Sequence, residues 1–382
     1  MTMHTDLGEP LRCETIRDAF AITGLRDEFA QLAEMPGAAS GVVQHPDWLL
    51  CELEARGAAA TAHVVVVRDA GRIVGYAPFL LEDHAARIVL GKYSVTVYRG
   101  PALRLLGAGV VSIPDQRGRV EHAIADALAA EPAVRVVRIQ ETLLPNSFAA
   151  ALAGRSGFLC VTSNLLDQVN WSIQPQASLD AYLASLGSKR RNDLTRRLRN
   201  VYKKLGDEAR LRIFEAPDDI DEYCRLLNLV YARSWHANDL PIDWEHPARR
   251  TLLRRMAGDR HFIGHLLMVA ERPVAYVHGY RLSGHYLLDD TGYDEEFAAI
   301  GVGSALVFQV VQDLLARYDG DVIDFGYGDN QYKRVLANQE APCGSLYLVR
   351  GAGPRAGFRM IAPLRWIYRG VRRVQQARTR TR

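Results

Sequence analysis

The chain has 382 residues, of which 48% are apolar and 24% charged, and a net charge of only +3. That length suits two domains, each able to bury a core, and the composition is ordinary for a soluble globular protein whose basicity is local. Five scattered cysteines without Cys-x-x-Cys spacing argue against a zinc site or disulfide framework and for a reducing, cytoplasmic compartment; no metal is expected. The N-terminus lacks the apolar stretch of a signal peptide, and no apolar run nears the ~18 residues of a membrane span.

Residues 1–15 read as loosely ordered. Ile16–Glu34 has helical spacing at Phe20, Leu25, Phe29 and Leu32. His45-Pro46-Asp47-Trp48 opens another helix, with Pro46 in its first turn. Ala62–Arg68 is a β-branched strand, Asp69-Ala70-Gly71 a turn, and Ile73–Leu81 the returning strand. Strand-like pieces follow at Arg87–Leu90 and Val110–Ile113, then a helix at Glu121–Ala130 and a strand at Val134–Ile139.

Asp167–Ile173 starts a second series. Ser178–Ser185 is a short helix and Lys189–Leu205 a longer one, with Leu194, Leu198, Val201 and Leu205 on one face. A strand at Arg210–Phe214 and helices at Ile220–Trp235 and Ala248–Met256 follow. Phe262–Ala270 and Val274–Leu282 form a hairpin about Glu271-Arg272-Pro273, and His285–Asp290 is the third strand. The two series run alike: His63-Val-Val-Val-Val with Arg72-Ile-Val-Gly-Tyr76 parallels His265-Leu-Leu-Met-Val with Arg272-Pro-Val-Ala-Tyr276. That order suggests a duplicated α/β unit.

The second series contains the most informative stretch. A strand ends at Asp289-Asp290, and after a turn Gly301-Val302-Gly303-Ser304 opens an apolar helix before the strand Val322–Phe325. Backbone N–H groups and the positive end of a helix dipole then converge where a phosphate fits, and two glycines leave room for close approach. A tight turn is the alternative reading of the loop alone.

Three antiparallel strands, a glycine loop opening a helix, and a further strand resemble the core of the GNAT-type N-acyltransferases. In that family the loop holds the pyrophosphate of acyl-coenzyme A. Gly301 and Gly303 match its pattern, but Ala298 stands where the family has Arg or Gln. Over Leu179–Val349 the resemblance narrows. LDAYLASLGSKRRNDLTRRLRNVYKKLG is similar to a signature of CelD-like acyltransferases, a GNAT branch linked to cellulose and exopolysaccharide biosynthesis. IDFGYGDNQYKRVLA is similar to that branch's second signature, with Asp324, Gly326, Gly328, Tyr332 and Lys333 in its fixed positions. The FemAB aminoacyl transferases share the doubled fold.

The resemblance implies an α/β (α+β) fold of two tandem GNAT-like domains, each a mixed, mostly antiparallel sheet flanked by helices. The expected divisions are a degenerate domain at 1–165, an acyltransferase domain at 166–352 and a basic amphipathic or disordered tail at 353–382. The implied function is acyl transfer from acetyl-coenzyme A or another acyl-coenzyme A, as co-substrate, to an amine, an amino sugar in polysaccharide or cell-envelope biosynthesis being one candidate. The alternatives are a FemAB-like aminoacyl-tRNA-dependent transferase, the one reading that brings in a nucleic acid, and a non-catalytic membrane-associated assembly protein.

Such a reaction needs a group to take the amine proton, a donor for the oxyanion and an acid for the departing thiolate. Asp289, Asp290 and His278 are the base candidates and Tyr332 the acid candidate. Strand alternation places one aspartate inward and one outward. Capping and core packing are the other readings of these residues. Ile300, Gly301, Val302, Gly303 and Ser304 are the expected cofactor-binding loop.

For substrate, the helix from Lys189 to Lys204 sets eight cations against Asp193 alone. Lys189, Arg190 and Arg191 at its start are candidate contacts to an anion, against the reading of a solvated charged face. Arg233 and Trp235 form a candidate sugar-stacking wall, and Asp329 and Lys333 candidate acceptor contacts. From Phe358 onward eight arginines and no acid mix with Trp366, Ile367 and Tyr368, which fits attachment to an anionic inner membrane surface as well as disorder.

Overall fold

The computed structural model describes residues 11–90, 93–155, 157–239 and 242–369. They form a mixed α/β fold in two compact units, Met1–Gln168 with Pro342–Arg382, and Val169–Ala341.

The first unit runs β1 (Arg12–Ile16), α1 (Ala19–Gly24), α2 (Arg26–Ala33), α3 (Pro46–Arg56), β2 (Ala60–Asp69), β3 (Arg72–Leu90), β4 (Tyr93–Leu105), β5 (Val111–Ser112), α4 (Arg117–Ala130), β6 (Val136–Leu143), α5 (Ser147–Ala153) and β7 (Leu159–Thr162). The second contains β8 (Gln168–Ile173), α6 (Leu179–Ser185), α7 (Ser188–Leu205), β9 (Ala209–Phe214), α8 (Ile220–Tyr231), α9 (His236–Asp239), α10 (Pro247–Gly258), β10 (Phe262–Val269), β11 (Arg272–Leu282), β12 (His285–Tyr293), α11 (Val302–Arg317), β13 (Val322–Tyr327) and α12 (Gln331–Leu336). The chain then returns through β14 (Gln339–Val349), α13 (Ala352–Arg359) and a helical turn pair at 361–369.

Two expectations need correction. Arg12–Ile16 is a strand paired with β2, so residues 12–15 are ordered. The segment 342–352 does not end the second unit: β14 pairs antiparallel with β6 and β7, which assigns it to the first. Of the two readings of the basic tail, its described start is helical, with Phe358 and Ile361 buried against Ile88, Val136, Tyr347 and Val349. Residues 370–382 lie outside the described part.

The duplication is visible in the strand registers. In each unit the central hairpin carries a bulge at the same point, Val67/Arg68 in the first and Leu267/Met268 in the second. Each turns through an alanine with positive φ, Ala70 at 46° and Ala270 at 52°. In each, the strand after the hairpin pairs parallel with the strand after the long helix, Leu103–Leu105 with Val137–Ile139 and His285–Leu287 with Val322–Asp324. Beyond these short ladders the units differ. In the first, the Ala108 carbonyl accepts from Thr142 Oγ1 at 3.3 Å and Asn146 Nδ2 at 2.5 Å, which ties the parting strands together. Its α4 starts after Gln116 without a glycine cap. In the second, β12 runs on to Tyr293 and β13 to Tyr327 past the last paired residues, so the two strands part.

The second unit has two layers on its sheet. Val277, Tyr286, Leu288 and Ile323 face α11, α7 and α6 in a core with Leu306, Val310 and Leu314. The opposite face carries Tyr276, His278 and Tyr280 against Tyr223 and Tyr231 of α8.

Candidate active site

The floor of the site is a bulge in β12. Gly279 pairs with Leu288 and His278 with Asp290, leaving Asp289 as an extra residue. An inserted residue cancels the alternation of a strand at that point. Both carboxylates therefore face the α8 side, contrary to the inward-and-outward expectation. Asp289 Oδ2 lies 3.6 Å from His278 Nε2, and Asp290 Oδ2 accepts from the Tyr276 hydroxyl at 3.1 Å. Tyr276 and His278 are themselves two apart on one strand face, with rings 6.1 Å apart.

His278 is fully buried among the rings of Tyr223, Trp244, Phe262, Tyr276 and Tyr280, with Trp244 nearest at 4.9 Å. The Tyr223 hydroxyl lies 3.0 Å from its Nδ1. If that hydroxyl donates, the imidazole proton sits on Nε2, the atom aimed at Asp289. Nε2 makes no hydrogen bond of its own. Burial pushes the Tyr223 and Tyr276 phenols well above their ordinary values; for Tyr276 the neighbouring Asp290 charge adds to this. Both stay protonated donors.

Asp290 has further partners. Its Oδ1 accepts from the Thr291 N–H at 2.7 Å and lies 3.4 Å from His236 Nε2. His236 is stacked between Tyr231, at 6.0 Å, and Trp235, at 3.6 Å. Trp235 remains 47% exposed. Helix α8 ends at Tyr231, so Arg233 and Trp235 sit in the turn after it rather than on the helix. Arg233 lies 3.6 Å from Asp294, the residue that caps the turn leading to the glycine loop. Tyr332, on α12, packs edge-on against Phe325. Burial first, and the Asp290 carboxylate second, push its phenol up to about 12.

The glycine loop divides into two roles. Gly301 caps α11 with φ of 83°, and a Cβ there would meet nothing nearer than Ser304 Oγ at 3.9 Å. Gly303 is different: a Cβ would lie 2.5 Å from the Tyr293 ring. Its lack of a side chain serves packing, not ligand approach. Ile300 and Val302 pack into the core, and Ser304 is exposed. The first N–H groups of α11 have no partner within the helix and point past Gly301.

The basic start of α7 lies beside α12. Because α11 leads from the end of β12 to the start of β13, it opens at the strands' C-terminal end, and α12 begins there too. Arg190 Nη1 donates to the Val335 carbonyl of α12 at 3.4 Å, and Tyr202 Oη donates to Gln309 Oε1 of α11 at 2.9 Å. These contacts set the start of α7 against the end of α12 and the last turn of α7 against the middle of α11. Lys189, Arg190 and Arg191 are exposed, and an open cavity of 880 Å³ is lined by Gly187, Lys189, Arg190, Asn192, Asp193 and Arg196. Two other expected contacts are occupied. Lys333 is buried with Nζ donating to the Gly326 and Tyr327 carbonyls at 3.2 and 2.8 Å, and Asp329 is paired with Arg334. Both shape the β13–α12 loop instead of reaching for a substrate.

Residues 188–334, from the start of α7 into α12, match the family model of the acetyltransferase (GNAT) domain. The chain carries an acyltransferase domain. FemX has a similar fold at a TM-score of 0.59, with 10% identity over 87% of this chain and 96% of that one. The C-terminal domain of a lysylphosphatidylglycerol synthetase from Agrobacterium fabrum aligns at 0.55, with 10% identity over 90% of this chain and 96% of that one. No curated protein matches the chain.

Three residues of this candidate site had not been singled out from the sequence: Tyr223, His236 and Tyr276. Tyr223 and Tyr276 look like core aromatics because they are buried. His236 had a signal in its neighbour Trp235, but only folding brings it to Asp290.

Proposed function

We propose that the acyltransferase domain moves an acyl group from acyl-coenzyme A, acetyl in the simplest case, to a primary amine. The observation that carries this reading is the juxtaposition at one end of the sheet. The Gly301-capped start of α11 opens where β12 and β13 part, and Asp290 sits on that same diverging segment of β12. The α11 N–H groups suit the donor's phosphates. Asp290, oriented by Tyr276 and Thr291, takes the proton that the amine must lose. Tyr332, a protonated phenol, returns a proton at the leaving sulfur. The half-exposed Trp235 ring offers a flat face for a sugar, so an amino sugar is the first acceptor to try, and a role in polysaccharide biosynthesis is the proposed setting.

The test is calorimetric titration of acetyl-coenzyme A and coenzyme A into the wild type and Ser304→Asp. An exposed carboxylate in the first turn of α11 favours the helix but repels a phosphate. Binding to the wild type that the substitution removes is the expected result. No binding by the folded wild type refutes the donor assignment.

A second reading has its own support. Eight cations on α7 and the likeness to FemX and to a lysylphosphatidylglycerol synthetase domain favour an aminoacyl-tRNA donor. It requires tRNA binding that weakens steeply with salt, and failure to bind tRNA at low salt removes it.

A further inference from the structure

The helical segment 361–369 in the first unit is apolar on both sides. Its inner side places Ile361 in the core with Phe358, and Leu364 packs against that cluster. Its outer side exposes Trp366 at 80% and Ile367 at 53%, and Met360 just before it is 55% exposed. A soluble helix turns such residues inward; here the inner positions are already filled. The hairpin under the helix adds to the patch. Tyr98 packs on Phe358, and toward the hairpin's tip Val95, paired with Ile88 of the same buried cluster, is exposed, as is Tyr93.

The charge around this patch is mostly positive. Arg359 borders it, Arg365 and Arg369 flank it while sharing Asp167, and the sequence after residue 369 adds five arginines with no acid. An isologous contact with a second copy sets those arginines against one another. An anionic lipid surface is complementary to both features: tryptophan and isoleucine enter the acyl boundary while arginines meet the headgroups. No described helix is long and apolar enough to cross a membrane, so the contact is peripheral. We infer that the patch of Met360, Trp366 and Ile367, with the surrounding arginines, seats the protein on an anionic membrane surface. This conclusion does not depend on which acyl donor the second unit takes.

The test is co-sedimentation of the full chain with vesicles of phosphatidylcholine alone or mixed with phosphatidylglycerol. The wild type should pellet with the anionic vesicles and stay in solution with the neutral ones. Trp366→Ser with Ile367→Ser should weaken pelleting by about tenfold or more, given the apolar area removed. Both side chains are exposed, so circular dichroism should show the same fold. Pelleting unchanged by the double substitution overturns the inference, as does equal pelleting with neutral vesicles. A wild type that is dimeric by light scattering and becomes monomeric on substitution also overturns it, and assigns the patch to a second copy.

Discussion

Asp289 and Asp290 are consecutive in a strand, yet both carboxylates face the same side of the sheet, one toward His278 at 3.6 Å and the other bonded to Tyr276 at 3.1 Å. The bulge makes this possible, and it gives the two acids different surroundings. Asp290 is held by three partners near the parting of the strands, whereas Asp289 is 38% exposed and faces a buried imidazole.

That difference separates their roles. Asp290→Asn should lower kcat/KM by about 10²–10⁴, the range of a lost general base, with little change in melting temperature because the amide oxygen still accepts from the Thr291 N–H while the amide nitrogen donates to the Tyr276 hydroxyl oxygen. Asp289→Asn should cost no more than about tenfold. Steady-state kinetics on both variants decide it: full activity in Asp290→Asn removes that residue from the proton path.

Gly303→Ala tests packing rather than ligand binding. The new methyl group would lie 2.5 Å from Tyr293 Cδ1, within a buried turn of α11. Overpacking of this kind costs about 1–3 kcal/mol. Thermal unfolding should show a lower midpoint for Gly303→Ala, and adding Tyr293→Leu should restore part of it through coupling of the two sites. An unchanged midpoint would mean that the ring moves freely. For the same reason Gly303→Asp is a poor probe of coenzyme A binding, and Ser304→Asp a better one.

What the sequence revealed follows from local chemistry. The paired hairpins were legible because their alternation and turn residues are local, down to Ala70 and Ala270 at equivalent turns. The start of α11 was legible because a glycine pair before an apolar helix is a local signal. The bulge at Asp289 was not, since nothing in Leu-Leu-Asp-Asp-Thr marks which residue lacks a partner; the opposing strand decides it. Nor was the fate of β14, whose apolar pattern fits a strand in either unit and whose pairing with β6 is set by packing at long range. Lys333 shows the same limit: a cation after two glycines reads as a ligand contact, but the fold spends it on two carbonyls.

Tyr332 gives a pH signature. A phenol raised to about 12 is protonated throughout the neutral and mildly alkaline range. If it is the acid, the alkaline limb of kcat should not fall before roughly pH 11, where an unperturbed tyrosine near 10 would already be ionised. Tyr332→Phe should lower kcat by about 10²-fold or more. A limb that falls near pH 10 and is unaltered in Tyr332→Phe belongs to another group.

Asp324 should make the second unit acid-sensitive. Burial would raise its carboxyl, but His285 at 3.5 Å, Asn170 Nδ2 at 2.8 Å and the Gly326 N–H at 2.7 Å hold it below the ordinary value. A carboxyl lowered by folding contributes stability that is present above its unfolded value, near 3.9, and is lost as pH falls through the folded one. Asp324→Asn removes that contribution at neutral pH, at a cost of about 1–3 kcal/mol for the charged hydrogen bonds. Urea midpoints of wild type and variant should therefore be furthest apart near pH 7 and converge below about pH 3. A gap that stays constant with pH would show that the Asp324 side chain matters for its shape and not its charge.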